Sequence, residues 1–435
     1  MNTKRLLTVA LLVALAAAAY PALAGAQDAP EPAFAYIKGG NLWLRYDDGA
    51  DVALTDDAVP VASNAAYPPH YEIGYEMPRW SPNGKWLAFV RYTTRDNGGR
   101  TLYVADVTQP AIRLEPLAAG LGFLPPSWQV DNVNPIIAYA THSGQYDESG
   151  LTEVYNAFAI SPEDPAREAL MLGSFGVDVG CGGGTADPAA ALYWRETTSL
   201  GGYGLTFAWA GARIVHSTDC GGSAVALLDL NARTDTPFAE LSRVAVSPDG
   251  GFIAGVAPTG ADGSSSIHVY SLDRLDAPHR TFIVSTDPRI TPAQLAWNAS
   301  TTGVFYSLQQ LQEERTPPDS MQQRGLSVFG SWPVSIRVYF SGLHFYNLVN
   351  NADSRLYTAP AHVLAGIAVM DGNHVAFTQI DNADMWLDVF QRGGGAADLS
   401  YNLPGMYLVQ VRLSPPDSAI LIEGAGQVAV RPAGD

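Results

Sequence analysis

One short stretch, residues 79–90, constrains what this chain can fold into more than any other; it reads RWSPNGKWLAFV. An aromatic residue ends an apolar run, Ser-Pro-Asn-Gly follows, and a second run places apolar side chains alternately, at Trp86, Ala88 and Val90. Proline presets φ at the first central position of a turn, and Asn-Gly tolerates the positive φ that a tight reversal needs. The stretch therefore predicts a β-hairpin.

Weaker versions of this hairpin recur along the chain, which predicts a radially repeated, all-β fold. The clearest second copy, residues 244–256, reads VAVSPDGGFIAGV. We align seven inner strands on the following residues: Trp80, Trp128, Trp209, Val246, Trp297, Val369 and Leu413. The alignment predicts a closed β-propeller of four-stranded antiparallel blades, with seven blades favoured and eight as the alternative.

The first folded segment, residues 34–55, supplies three strand-like runs and lacks an innermost strand. A closed propeller commonly completes one blade with strands from both ends of the chain. We therefore expect residues 34–46 to lie beside a strand within residues 411–430. The domain prediction is a single propeller over residues 34–435, with an insertion at about 308–353.

The two strongest hairpins resemble the TolB-type repeat, a WD-repeat-like unit in which an aromatic residue precedes Ser-Pro-Asp-Gly and a Lys-x-Ile-Ala-Phe-like strand. Residues 80–89 match almost throughout and residues 246–250 match well, whereas the copy at Trp209 lacks the Ser-Pro turn and residues 414–417 lack the glycine. The resemblance implies a closed propeller with a central channel, a form found in periplasmic interaction proteins, peptidase-attached domains and some carbohydrate-active lyases. The motif residues are structural, so they do not identify a function.

The N-terminal residues 1–26 have the pattern of a secretory signal peptide. Lys4 and Arg5 precede an apolar run, and residues 22–24 form an A-x-A cleavage site. An uncleaved anchor is the alternative, but the apolar run is short for a membrane span. After a linker at 27–33, we expect a secreted or periplasmic bacterial protein without an integral membrane segment.

The net charge of the chain is −18, with 43 acidic against 25 basic residues. A surface of this sign repels phosphate backbones and anionic lipid, which argues against nucleic acid as a partner. The expected partner is an envelope or extracellular protein, a peptide or a glycan. Solvation of the surface explains the acidity, and attraction of cationic partners or calcium is the alternative.

The chain has two cysteines, Cys181 and Cys220, each followed by Gly-Gly. Cys181 lies in the loop before the Trp209 strand and Cys220 in the loop between the second and third strands of the same blade. Both loops belong to one face of the propeller, so an oxidising compartment favours a disulfide between the two thiols. A metal or reactive-thiol pair is the alternative, although no C-x-x-C spacing occurs.

Candidate binding residues come from that same face, the top face, which carries the loops before each first strand and between each second and third strand. His142 and His216 follow predicted second strands, and Asp96, Asp147 and Asp381 lie in acidic turns. Calcium would suit such turns, but none has the spacing of a calcium loop, and Asp and Asn are ordinary turn residues. We therefore expect no metal or cofactor, with Ca²⁺ as the alternative.

The largest departure from the repeat lies after Leu308, where a polar run spans residues 309–324 and precedes Phe329 and Trp332. Long loops on rigid scaffolds often carry function, so these aromatic residues are candidate binding residues. The alternative is that residues 334–340 form an ordinary blade strand.

The sequence favours a non-catalytic propeller that binds its ligand through top-face loops. It contains no H-E-x-x-H, G-x-S-x-G or P-loop motif. The alternative is a carbohydrate-active enzyme of the lyase or hydrolase type. That enzyme would need His142 or His216 within hydrogen-bond reach of Asp96, Asp147 or Asp381.

Overall fold

A computed structural model describes most of the chain after residue 30. The described ranges are 31–60, 71–93, 99–109, 111–120, 122–130, 133–146, 152–178, 205–219, 223–315, 336–381 and 406–432. These residues form 29 β-strands and no helix, and the strands make seven antiparallel sheets. The predicted all-β, seven-bladed architecture is confirmed.

The strands of the first four blades follow one another along the chain, except that the inner strand of blade 1 comes from its far end. Blade 1 contains β29 (Ala425–Val430), β1 (Pro32–Lys38), β2 (Asn41–Tyr46) and β3 (Asp51–Ala53). Blade 2 contains β4 (Val59–Pro60), β5 (Tyr71–Trp80), β6 (Trp86–Thr93), β7 (Gly99–Asp106) and β8 (Leu114–Gly120). Blade 3 contains β9 (Ser127–Trp128), β10 (Ile137–Tyr146), β11 (Thr152–Ile160) and β12 (Leu170–Asp178). Blade 4 contains β13 (Phe207–Ala210), β14 (Arg213–Ser217), β15 (Val225–Asp229) and β16 (Thr234–Ala239).

The remaining three blades each have four strands. Blade 5 contains β17 (Ser242–Val246), β18 (Phe252–Val256), β19 (Ser265–Ser271) and β20 (Arg280–Ser285). Blade 6 contains β21 (Ile290–Trp297), β22 (Gly303–Arg315), β23 (Ile336–Asn347) and β24 (Ala352–Ala359). Blade 7 contains β25 (His362–Val369), β26 (His374–Asp381), β27 (Met406–Leu413) and β28 (Pro416–Glu423). The four-stranded prediction therefore holds for six blades, and blade 2 has the short β4 in addition.

The inner strands form a closed ring. Each of β5, β9, β13, β17, β21 and β25 contacts the inner strand of the next blade, and β29 contacts both β25 and β5. Each of the seven junctions between neighbouring blades holds one cluster of buried apolar side chains. Because the core is divided among these junctions, the interior of the ring is free to form a channel.

The ring closes through the pairing of β1 with β29, which joins Phe34 to Val430 and Lys38 to Ala425. The predicted closure is confirmed, but the assignment of Leu413 to an inner strand was wrong. Leu413 ends β27, the third strand of blade 7. The seventh inner strand ends instead at Val430, and the motif after it is degenerate because Arg431 replaces the usual serine.

The hydrogen bonds of the serine side chains in the Ser-Pro turns show why the motif contains serine. Ser81 Oγ donates a hydrogen bond of 2.7 Å to Asn83 Oδ1 and accepts one of 2.9 Å from the Trp86 backbone N–H. Ser247 repeats both contacts, at 2.5 Å to Asp249 and 2.9 Å from the first backbone N–H of β18. Both serines are buried, and these contacts satisfy them at the point where the chain reverses.

The expected insertion begins as a long hairpin. β22 and β23 pair continuously from Gly303 and Asn347 to Arg315 and Ile336, with one irregularity. The first part of the polar run therefore lies in a blade strand that extends beyond its neighbours.

Candidate functional site

The central channel contains a cavity of about 680 Å³. Its wall comes from the inner strands of blades 2 to 6, and it reaches the turns at Pro82 and Pro248, where first strands lead into second strands. These turns belong to the face opposite the top face. This cavity is therefore continuous with the face from which we expected no binding residues.

One position of the repeat has a distinctive composition. We align the inner strands on Trp80, Trp128, Trp209, Val246, Trp297, Val369 and Val430, and we call the residues directly before these positions the channel ring: Arg79, Ser127, Ala208, Ala245, Ala296, Ala368 and Ala429. Six members of the channel ring are alanine or serine, and only Arg79 has a long side chain. Arg79, Ser127, Ala208 and Ala245 line the cavity, and Arg79 is the exposed member.

The main chain of the channel ring is fixed by tryptophans of the neighbouring blades. Trp128 Nε1 donates to the carbonyl oxygen of Arg79 at 3.1 Å, and Trp297 Nε1 donates to that of Ala245 at 3.0 Å. The hydroxyl of Ser127 accepts the backbone N–H of Trp209 at 2.8 Å. The ring is therefore a rigid part of the molecule.

The guanidinium of Arg79 reaches solvent inside the channel and is surrounded by protein. Its Nη1 donates a hydrogen bond of 2.9 Å to the carbonyl oxygen of Pro78, and within the described residues no carboxylate interacts with it. Desolvation lowers the pKa of Arg79 from its ordinary value. An arginine nevertheless keeps its charge in proteins, so the channel holds a cation with unused donors.

A second cation, Arg243, lines the same cavity from blade 5. Its backbone has a φ of 53°, in the left-handed region, at an irregularity in the pairing of β17 with β18. The equivalent residues Met77, Gly366 and Gln427 also have positive φ, each three positions before the end of its inner strand. Such bulges bend a strand and redirect side chains, and four of the seven inner strands share this one.

The charge of the cavity wall differs from that of the whole chain. Among the described residues that line the cavity, two are arginines and none is aspartate, glutamate, histidine or cysteine. Aromatic, proline and aliphatic side chains make up much of the remainder. The wall therefore combines apolar surface with polar surface and includes two arginines, in a chain whose net charge is −18.

The two predicted histidines do not line this cavity. His216 is fully buried, with its Nε2 2.8 Å from Asp235 Oδ1 and its ring stacked on Phe175 at 3.9 Å between centroids. His142 is half-buried and packs against Tyr155, which in turn stacks on Phe175. Both histidines thus belong to one aromatic row across the junction of blades 3 and 4. His216 was a candidate binding residue of the top face, but its side chain is fully buried in this junction.

The other predicted site residues lie where the structure gives no account of their side chains. Asp381 ends β26, but its side chain is not described. The following residues lie outside the described ranges: Asp96, Asp147, Phe329, Trp332, Cys181 and Cys220. Their binding roles and the disulfide remain predictions.

The described residues contain neither a candidate metal site nor a candidate membrane-spanning helix. No group of three or more histidine, cysteine, aspartate or glutamate side chains is arranged to hold a metal ion. No helix has the length and apolar character required to cross a membrane.

Sequence reasoning missed Arg79 and Arg243 as candidate site residues. With Val430 in place of Leu413, the residues before the seven aligned positions are one arginine and six small residues, whereas the sequence alignment on Leu413 adds a second arginine, Arg412. Nothing in the sequence marks Arg243 in this way. Its place in the wall depends on the bulge in β17.

Several solved structures are similar to this chain at low sequence identity. Kuenenia stuttgartiensis hydrazine synthase has 10% identity and a TM-score of 0.42, and the match covers 82% of this chain and 95% of that one. TolB from Acinetobacter baumannii has 13% identity and a TM-score of 0.39, covering 77% of this chain and 65% of that one. Pyrococcus horikoshii acylaminoacyl peptidase has 12% identity and a TM-score of 0.48, covering 88% and 48%.

In its fold, this chain is a seven-bladed β-propeller, and the hydrogen-bonded Ser-Pro turns resemble those of the TolB-type repeat. The seven blades, the closure by β29 and the buried Ser-Pro turns agree with the repeat that the sequence resembles. No protein-family profile matches the sequence, and no curated protein is significantly similar to it. The structural likenesses carry no argument about activity, since their identities and TM-scores are low.

Proposed function

We propose that this propeller is a non-catalytic, extracytoplasmic recognition protein whose central cavity binds part of a protein, a peptide or a glycan. One observation carries the proposal: a cavity of about 680 Å³ whose wall combines apolar and aromatic side chains with polar groups, built on a ring of hydrogen-bonded inner strands. Ligand pockets are typically concave and mostly apolar, with a few placed polar groups. A rigid wall also lowers the entropic cost of binding.

The groups in the wall suit recognition better than catalysis. The hydroxyl of Ser127 accepts a backbone N–H, and that of Ser247 donates to Asp249 in its own turn. General acid–base chemistry needs a titratable group near the ligand, and the described lining residues offer only two arginines. Top-face loops remain a second proposed contact region, and the predicted signal peptide supports the extracytoplasmic location.

The proposal is tested by filling the cavity. Ala208 has the same place in the repeat as Arg79, so that position can direct a long side chain towards the channel. Wild type and Ala208→Phe would be compared on peptide and glycan arrays and in pulldowns from an envelope extract. Ala232→Phe, in an exposed turn of blade 4, controls for added apolar surface.

We expect Ala208→Phe to lose the ligands that wild type and Ala232→Phe retain. Equal urea midpoints for the two variants would show that the fold is intact. Unchanged binding by a folded Ala208→Phe would contradict the cavity as the contact site. Loss of binding on deletion of residues 316–324 alone would place the contact on the top face instead.

A further inference from the structure

We infer that the central cavity selects ligands that carry a carboxylate, with the guanidinium of Arg79 as the group that binds it. This inference rests on the proposed function, because it specifies the chemistry of a ligand in the same cavity. It is drawn from the position of Arg79, its unused donors and the charge of the wall around it.

Arg79 occupies a position of the channel ring where the other blades have small residues. Six members of the channel ring are alanine or serine, and the seventh is Arg79. The fold needs no long side chain at this place, because the other blades close the ring without one. The tryptophan contact to the carbonyl of Arg79 is made equally well to alanine, as the bond from Trp297 to Ala245 shows. The Arg79 side chain is therefore not required by the inner-strand architecture.

Most hydrogen-bond donors of the Arg79 guanidinium have no partner among the described residues. Guanidinium has five N–H donors in a planar fork, and the one described side-chain hydrogen bond of Arg79 is from Nη1 to Pro78 O. No carboxylate of the described residues neutralises this group. Burial of an unpaired charge is costly, and water in the channel compensates only part of that cost. A bound carboxylate would satisfy two donors at once in the bidentate geometry that arginine favours.

The charge of the cavity wall is opposite in sign to the net charge of the chain. Arg79 places a positive group in the wall, and the described lining residues include no acidic side chain. The wall therefore attracts an anion locally, while the net charge of −18 repels multiply charged ligands at long range. A ligand with one carboxylate on an otherwise neutral body would be attracted by the wall and would be repelled only weakly by the net charge of the chain. The apolar and aromatic parts of the wall would contact that body.

The experiment uses simple probes on the purified full chain. Trifluoroacetate carries the carboxylate and trifluoroethanol is its neutral counterpart, and binding is followed by the line width of the ¹⁹F signal. N-acetylphenylalanine and its amide form a larger matched pair, measured by calorimetry. Inorganic phosphate, followed by ³¹P line width, distinguishes a phosphate site from a carboxylate site.

We expect both carboxylates to bind, and Arg79→Gln to weaken them about tenfold to a hundredfold, the usual effect of losing hydrogen bonds to a charged group. Arg79→Lys should restore only part of the affinity, because lysine lacks the planar fork. Arg289→Gln removes an exposed cation that pairs with Asp287 in its own turn, and it should behave as wild type.

Three results would overturn the inference. They are equal binding of charged and neutral probes by wild type, full affinity in folded Arg79→Gln, and tighter binding of phosphate than of either carboxylate. A physiological ligand that is lost in Ala208→Phe but retained in Arg79→Gln would leave the cavity as the binding site and refute the carboxylate. The two proposals therefore fail separately.

Discussion

The indole Nε1 of Trp80 donates a hydrogen bond of 2.9 Å to the carbonyl oxygen of Ala429, 349 residues away in sequence. This bond joins the inner strand of blade 2 to that of blade 1. Trp128 and Trp297 make the same bond to the preceding blade, at Arg79 and Ala245. The motif tryptophan is thus a connector between blades in addition to an apolar core residue.

The first prediction follows from this bond. Trp80→Phe should lower the free energy of unfolding by about 1–3 kcal/mol, because the buried carbonyl of Ala429 loses its donor. It should also speed amide hydrogen exchange in β29 and β1. Trp209→Phe is the matched control, since the Trp209 indole donates to Gly211 in its own turn. Equal exchange of β29 in both variants would contradict a role for Trp80 in closing the ring.

The second prediction concerns the turn after β5. Gly84 has a φ of 64°, and a Cβ atom on it would lie 3.0 Å from Arg431 Nε and 3.1 Å from Pro432 O. Gly84→Ala should therefore destabilise the fold by about 1–2 kcal/mol in urea unfolding, because of left-handed backbone strain and crowding. Gly372→Ala, in the corresponding turn of blade 7, has open space and no positive φ. A similar loss in both variants would argue against local strain as the cause.

The third prediction tests the structural role of His216. Its Nε2 meets Asp235 and its Nδ1 lies 3.0 Å from the carbonyl oxygen of Ser217. His216→Ala should cost about 2–5 kcal/mol, since it removes the ring stacked on Phe175 and the partner of the buried Ser217 carbonyl oxygen. The affinity for cavity ligands should be unchanged at temperatures where the variant is folded. Loss of affinity with unchanged stability would return His216 to the binding site.

The fourth prediction is a dependence of stability on pH. Burial raises the pKa of Asp57, but hydrogen bonds from Tyr75 and Arg91 lower it, and the balance lies below the ordinary value. A depressed pKa in the folded state stabilises the protein above the unfolded-state pKa, and this contribution disappears as the pH falls through the folded-state value. We therefore expect acid to remove under about 1 kcal/mol below about pH 4, since the pair is partly exposed.

The check is the unfolding free energy of wild type and Asp57→Asn between pH 6 and pH 3. The variant should be less stable at pH 6 and should lose less on acidification. Asp56→Asn changes the adjacent exposed carboxylate and should follow the wild-type curve. An Asp57→Asn curve parallel to that of wild type would show that this carboxylate contributes nothing to the pH dependence.

The architecture was predictable because its signals are local. Ser81 and Ser247 occupy turns whose chemistry requires serine, so a short motif located the hairpins, the blade number and the ring. The last inner strand was misplaced because Arg431 stands where the motif has serine, and no local pattern distinguished Val430 from Leu413.

The site was less predictable because it depends on which blade junction each side chain enters. His216 was expected to follow the second strand, but it lies within β14, which is set back from the channel, and its side chain is buried in the core of the junction. Arg243 reaches the cavity from a bulge that neither the composition of the sequence nor the spacing of its motifs predicts. Arg79 was identifiable only by comparing equivalent positions among copies that first had to be aligned correctly.

The position of β29 in sequence has a consequence for biosynthesis. As a nascent chain leaves the ribosome, its blades can form in order, but β1 has no partner on its inner edge until residues 425–430 have emerged. A translation product that stops before this strand keeps an open sheet edge, which is a template for aggregation and a target for proteases. A newly made chain that lacks residues 425–430 therefore cannot close the ring.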